Sequence, residues 1–374
     1  MREKVVQAKR WVVKVGSSLV TDDGQGLNRQ LISQWSEQIN QLRQQGIEII
    51  LVSSGSVAAG VRQLGWSARP SELHQVQVAA AVGQASLVGH YEEVFAKHDV
   101  ITAQVLLTHA DFQNRQRYLN ARAAFRSMMD LGVLPVVNEN DTVAIDEIRF
   151  GDNDRLAAMV ANLVDADLLV LLTDQDGLFT TNPNVDSEAK LITEHSVESE
   201  KLMTYAGTEG GKLGTGGMLT KVKAAQIGAK TGVSTIIANG RKANILHEIS
   251  DEDTGTLLYG ESTAVVAKKQ WLATQLHVKG TLVLDQGATK MLAQSGSSLL
   301  PVGVVKVEGN FQRGELVSCV NEQGKELARG LVNYSSEEAK KIAGKHSNKI
   351  LDILGVISDP ELIHRDNLAL VNVT

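Results

Sequence analysis

Six short apolar runs, each separated from the next by a longer stretch of other character, organise the first 245 or so residues. They are Trp11–Val15, Ile47–Val52, Ile101–Leu106, Val133–Val137, Leu168–Leu172 and Thr235–Ala238. Several contain no polar break, the pattern of strands covered on both faces of a parallel sheet. Helical periodicity fills the intervals at Arg29–Gln45, Glu72–Lys97, Asn120–Leu131, Asp154–Val164 and Gly217–Thr231. Parallel strands need crossover connections, so this alternation predicts an α/β fold: a mainly parallel sheet sandwiched by helices. Ligands of such folds sit beyond the carboxyl ends of the strands. The loops that follow the apolar runs are therefore the ones to search for chemistry.

The texture changes after a boundary at residues 248–274, which is acidic at first (Glu248, Asp251, Glu252, Asp253). Short strands then recur at Thr281–Leu284, Gly303–Val307, Leu316–Val320, Glu326–Gly330 and Leu368–Val373, with turn signals such as Asp285-Gln286-Gly287 between them. This predicts a small β-rich, barrel-like domain with one helix around Ser336–Leu354, capped by Ser335 or Ser336. The expected domains are residues 1–260 and 275–374.

Composition narrows the function classes. Hydrophobic residues are 43% of the 374 and charged residues 21%, ordinary for a globular protein. No apolar run approaches the roughly 20 residues of a membrane helix, and Lys14 interrupts the only apolar stretch near the N-terminus, against a signal peptide. The one cysteine, Cys319, forms no internal disulfide and fits a reducing cytoplasm. No Cys/His cluster has zinc spacing. A net charge of −6 argues against a nucleic-acid binder driven by bulk electrostatics.

Four predicted strand ends, and two helix starts, carry polar or glycine-rich groups. Lys14-Val15-Gly16-Ser17-Ser18 ends the first strand; a lysine there is expensive unless it meets an anion, whether a phosphate or a carboxylate partner. Its spacing is not that of a Walker loop. Val52-Ser53-Ser54-Gly55-Ser56 ends the second, as a phosphate or substrate contact or simply a helix cap. Asn138-Glu139-Asn140-Asp141 could serve the ammonium and carboxylate of an amino acid, or be a solvated turn. Phe150-Gly151-Asp152-Asn153-Asp154 opens a helix. Thr173-Asp174 follows the most hydrophobic strand, where a base or ribose could be held. Six glycines lie between Gly207 and Gly217, and the run ends Thr215-Gly216-Gly217-Met218-Leu219-Thr220-Lys221 at a helix start. Glycines at a helix N-terminus with a lysine one turn in suit a phosphate-rich ligand.

In this order, these motifs resemble the glutamate 5-kinases, a group within the amino acid kinase family. The C-terminal segments Lys279–Ala288, Ser298–Val304 and Arg329–Ser336 resemble a PUA domain, so the likeness covers nearly the whole chain. The resemblance implies ATP-dependent phosphorylation of the γ-carboxylate of L-glutamate, opening proline biosynthesis, with Mg²⁺ and with inhibition by free proline. It implies catalytic roles for Lys14, Lys221 and Asp154, with Asp154 orienting the two ammonium groups. It assigns glutamate to Ser54, Asp141 and Asn153. It assigns the nucleotide to Lys14, Thr173, Asp174, Thr215, Gly216, Gly217, Met218, Leu219, Thr220 and Lys221, and no protein metal ligand. It further implies a cytoplasmic homo-oligomer, dimer or tetramer, and hand-off of product to glutamate-5-semialdehyde dehydrogenase. One departure from the family pattern is Ser56, where alanine is expected; its consequence would be confined to local packing near the substrate carboxylate. Gly240-Arg241-Lys242 also diverges and receives no role.

Two rivals are weighed against this reading. Aspartate or an acetylated glutamate could replace glutamate, but an acetylated acid has no ammonium for Asp141. PUA domains often contact RNA, yet residues 276–374 hold 11 Lys+Arg against 11 Asp+Glu, without the positive excess of a phosphate-tracking surface.

Overall fold

Strand β1 (Arg10–Val15) runs through the interior of the larger sheet, which is why its apolar residues Trp11, Val12, Val13 and Val15 are fully buried. It pairs in parallel with β2 (Glu48–Ser53) on one side and β5 (Leu168–Thr173) on the other. The computed structural model describes residues 2–22, 24, 26–143, 153–183, 185–207, 217–251, 254–260, 278–295, 297–356 and 359–371. The remaining strands of the sheet are β3 (Thr102–Leu107), β4 (Leu134–Glu139), β6 (Glu194–Ser196), β7 (Ser234–Asn239) and β8 (Thr256–Tyr259). The order is β3-β4-β2-β1-β5-β7-β8-β6, and each pair is parallel except β7 with β8.

The chain builds outward from β1 through β2 and then returns across β1 to β5. The strand order therefore reverses beside β1, and the crevice of a doubly wound sheet opens at that reversal. One face is covered by the helices Arg29–Gln44 and Leu73–Ala96, whose Ile32, Trp35, Leu87 and Tyr91 join the strand residues in a common core. Each aliphatic side chain among them contributes roughly 1.5–3 kcal/mol by its burial. The helices Asn153–Leu163 and Met218–Ala229 pack against each other, and the first of them also lies on β1.

Helix Ser56–Gln63 meets helix Leu73–Ala96 backbone to backbone. A Cβ at Gly60 would stand 1.7 Å from the Ala79 carbonyl oxygen, and one at Gly83 would stand 1.9 Å from that of Ser56. No other residue permits this approach.

The second sheet has the order β10-β9-β11-β12-β13. Its strands are β9 (Gly280–Leu284), β10 (Val304–Gly309), β11 (Leu316–Asn321), β12 (Glu326–Leu331) and β13 (Leu368–Leu370). Only the β9–β11 pair is parallel. A separate core of Leu282, Val317, Phe311, Tyr334 and Ile363 lies within this part of the chain. By contact density the chain divides into two compact units: Met1–Gln113 with Ala121–Ala264, and Asn114–Asn120 with Val265–Thr374.

Three local expectations are corrected. Asp285-Gln286-Gly287 is the start of a helix, Gln286–Ser295, because the Asp285 carboxylate accepts from the Ala288 amide at 2.7 Å as a cap does. The expected helix around Ser336–Leu354 is two, Ser336–Ile342 and Ile350–Leu354, broken after Ala343 where Gly344 takes φ +72°. Its predicted cap is Ser335, whose hydroxyl and Glu338 form a reciprocal capping box. The stretch read as a boundary at 248–274 contains β8, which pairs with β7; residues 261–277 lie outside the described residues. Among the described residues no helix is long and apolar enough to cross a membrane.

Candidate active site

Lys14 is the penultimate residue of β1 and is 6% exposed. Its ammonium lies 2.6 Å from one oxygen of Asp154, the second residue of helix Asn153–Leu163. The other oxygen lies 3.2 Å from the ammonium of Lys221, one turn into helix Met218–Ala229. Thr220 donates its hydroxyl to the same oxygen at 2.8 Å. Segments 14, 154 and 220–221 are thus gathered at the carboxyl end of the central strand, with Asp154 only 1% exposed and Lys221 only 5%.

Three charges in so dry a place depend on one another. Burial alone would push the Asp154 carboxyl up; the Lys14 and Lys221 charges, with hydrogen bonds from Lys14 and Thr220, outweigh it and hold the carboxyl well below the usual range. Asp154 is therefore ionised throughout neutral and mildly acidic solution. An ammonium has three donors, so its bond to Asp154 occupies only one. Two cations steered to one point by a shared carboxylate form a preorganised receptor for negative charge.

Beside this cluster lies a second hydrogen-bonded network, mostly of amides and hydroxyls. Asn153 directs its amide N–H₂ at the Ser54 hydroxyl (3.0 Å), the Ser53 carbonyl (3.1 Å) and the Asn138 side-chain oxygen (2.9 Å). Asn138 in turn donates to Gln84 at 2.7 Å. Asp141, half-buried beyond the end of β4, accepts from the Ser56 hydroxyl at 3.1 Å. The predicted residues Ser54 and Asn153 are directly bonded, and the strand order β4-β2-β1 sets the β2 and β4 ends side by side.

On the β5 side, Thr173 is buried at the strand end and its hydroxyl donates to exposed Asp174 at 3.1 Å. Gly217, Met218, Leu219 and Thr220 form the first turn of their helix; Gly217 is the N-cap and supplies no side-chain cap. At Gly16 a Cβ would lie 4.0 Å from the Lys14 ammonium and 3.4 Å from the Leu172 carbonyl. Both are ordinary van der Waals distances, so the strand end passes close beside the lysine without crowding it. An uncapped helix start, a bare glycine and two lysines fit a polyphosphate. Among the described residues no group of three or more His, Cys, Asp or Glu could hold a metal. Thr215 and Gly216 of the predicted nucleotide loop, and Phe150-Gly151-Asp152, lie outside the described residues.

Sequence reasoning passed over Gln84, Ser56 as a side-chain donor, and a set at the β5 and β7 ends. There Lys242 lies 3.1 Å from Asp176, and Asn239 donates to the same carboxylate at 3.1 Å. Lys242 and Asn239 hold that carboxyl below its ordinary value. The available signal for Gln84 was a polar residue next to a glycine in an otherwise apolar helix stretch; for the others only the fold supplies the proximity.

The chain is similar to known proteins along its length. Residues 9–239 match the model of the amino acid kinase family and residues 280–354 that of the PUA domain. A protein of Chromohalobacter salexigens named glutamate 5-kinase is 55% identical over 99% of this chain and 98% of its own. One of Pseudomonas entomophila with the same name is 55% identical over 99% of this chain and all of its own. A solved UMP kinase from Bacillus anthracis aligns with 68% of this chain and 97% of its own at 14% identity and a TM-score of 0.48, too distant to carry an argument about chemistry.

Proposed function

This chain belongs to the amino acid kinase family, with a PUA domain after its kinase region, and from that premise we propose that it transfers the terminal phosphoryl group of ATP to the γ-carboxylate of L-glutamate. The product is then glutamyl 5-phosphate, which opens proline biosynthesis. The observation that carries the reading is the meeting of Lys14 and Lys221 across Asp154.

A carboxylate nucleophile has a pKa near ~4.3, so it arrives ionised and needs no general base. The obstacle is repulsion between it and the polyphosphate. Lys14, from the sheet, and Lys221, from the glycine-rich helix start, flank the transferring group and take up its charge. Each such preorganised contact is worth roughly 3–4 kcal/mol in the transition state. Asp154 touches both ammonium groups and fixes where they point. The remaining work is positioning. Backbone N–H groups about Gly16, Gly55 and Gly217 hold phosphate oxygens. Thr173, Asp174 and the 215–221 segment hold the nucleotide. Mg²⁺ would be held through the ATP phosphates rather than by a residue of this chain, and would supply neutralisation of their charge. Ser54 and Asn153 face the substrate carboxylates, and Asp141 takes its ammonium.

Relatives bearing the name glutamate 5-kinase over their full length support glutamate over other acids. The test is hydroxamate trapping of the acyl phosphate with ATP, Mg²⁺ and a panel of glutamate, aspartate and N-acetylglutamate. Signal from glutamate alone is expected; signal from another acid alone would replace the substrate. Proline, a five-carbon α-amino acid, should inhibit at millimolar concentration. Full activity there would remove that regulation.

A further inference from the structure

We propose that Ser56 is a positioning residue for the substrate amine: its hydroxyl fixes the Asp141 carboxylate in the orientation that receives the ammonium. The inference rests on the reading of Asp141 given above. Ser56 opens helix Ser56–Gln63, is 4% exposed, and donates to Asp141 at 3.1 Å. From expected packing alone a hydroxyl at this place has no task.

The position of Ser56 is set from two directions. Ahead of it Gly55 has φ +102°, and a Cβ there would press on Thr21 at 3.0 Å and Val20 at 3.1 Å. Behind it the Ser56 carbonyl lies so close to Gly83 that a Cβ on the latter would stand 1.9 Å away. A hydroxyl carried on so constrained a backbone is an immobile donor. Asp141 is the opposite case: half-buried, in the turn Asp141–Val143 that follows β4, with no helix or strand to hold it. The bond therefore transfers rigidity from the helix start to the turn.

The chemistry is compatible with substrate binding. A carboxylate offers about four acceptor sites, and one hydroxyl uses one of them. Ser54 lies two residues before Ser56 and is bonded to Asn153, so the amine-binding and carboxylate-binding groups hang on one short segment.

The test is a double-mutant cycle on the full chain, with Ser56→Ala, Asp141→Ala and both, read by calorimetric titration of glutamate and by steady-state kinetics. Alanine fills nearly the same space as serine, and thermal melts check the fold of each variant. Ser56→Ala is expected to weaken glutamate binding and raise its KM roughly three- to tenfold, the range of one net hydrogen bond, with kcat and the ATP KM within about twofold. In the Asp141→Ala background the same change is expected to do nothing further. An unchanged glutamate affinity in Ser56→Ala overturns the inference while the reading of the site stands. So does a loss that persists in full without Asp141, which marks a packing role. Failure of the unaltered chain both to bind and to phosphorylate glutamate overturns the two together.

Discussion

The central strand of each sheet carries one reactive side chain into the dark, and the two are treated in opposite ways. In β1 it is Lys14, brought against Asp154 with Lys221 on its far side. In β11 it is Cys319, fully buried among apolar neighbours, its thiol pushed up to about 12 by burial and by the charge of Glu326. A buried thiol is a small apolar group that asks for nothing. A buried ion pair costs several kcal/mol of desolvation per ion and gives most of it back only when its geometry is good. The larger sheet thus carries a charge cluster in an almost dry place, whereas the ion pair of the smaller one, Arg329 with Glu326, stays partly exposed. In the smaller unit polar side chains close helix ends, as Ser335 with Glu338 and Asp285 with the Ala288 amide do. On the proposed function, charge is retained at the β1 end because a charged substrate is handled there.

The hardest blow to that contrast is Asp154→Ala. It leaves two buried ammonium groups without their shared carboxylate, and a loss of about 3–5 kcal/mol in unfolding free energy is expected. Urea titration measures it; an unchanged midpoint would mean that the cluster is not interdependent. The pH dependence has a definite sign. A carboxyl depressed in the folded state contributes its stability above its unfolded value and loses it only as pH falls toward the folded one. The gap between the unaltered chain and Asp154→Ala should be flat from about pH 5 to 8 and narrow below about pH 4.

Next in size is Lys221→Ala. Removal of one preorganised donor is expected to lower kcat roughly 10²–10³-fold while the KM for glutamate changes little. Initial rates decide it, and an unchanged kcat would take Lys221 out of the transition state. Gly280→Ala asks the converse question of the smaller sheet. The new methyl would stand 2.3 Å from the Phe311 ring and 2.6 Å from the Glu308 carbonyl. The expected cost is about 1–3 kcal/mol of stability with kcat within about twofold, and a large fall in kcat would break the division of labour drawn above. The smallest effect belongs to Ser335→Ala, which dismantles a capping box for about 1 kcal/mol, read as a shift of the melting temperature with activity unaltered.

Local pattern made much of this legible. Unbroken runs such as Leu168–Leu172 read as two-sided strands because the sheet covers both faces, and Lys14 stood out because it follows such a run. The helix starts at Asn153-Asp154 and Gly217-Met218 carried their own capping and glycine signals. Where local chemistry was ambiguous, reading it failed: Asp285-Gln286-Gly287 suits a turn and a helix cap equally, and only the hydrogen bond to Ala288 distinguishes them. β8 is four residues long and gains its identity from pairing with β7, which no local window contains.

Periodicity and composition by themselves determined an α/β sheet followed by a β-rich region, and which strand ends bore polar groups, because both are written at the scale of a few residues. Tertiary structure alone decided that Lys14, Asp154 and Lys221 share one point, that Asn138 meets Gln84, and that the Ser56 hydroxyl falls on Asp141. Those contacts span 54 to 140 residues of chain, for Ser56 and Asp141 a separation of 85. They follow from strand order and from glycines that let two helices touch, and no neighbouring residue encodes either.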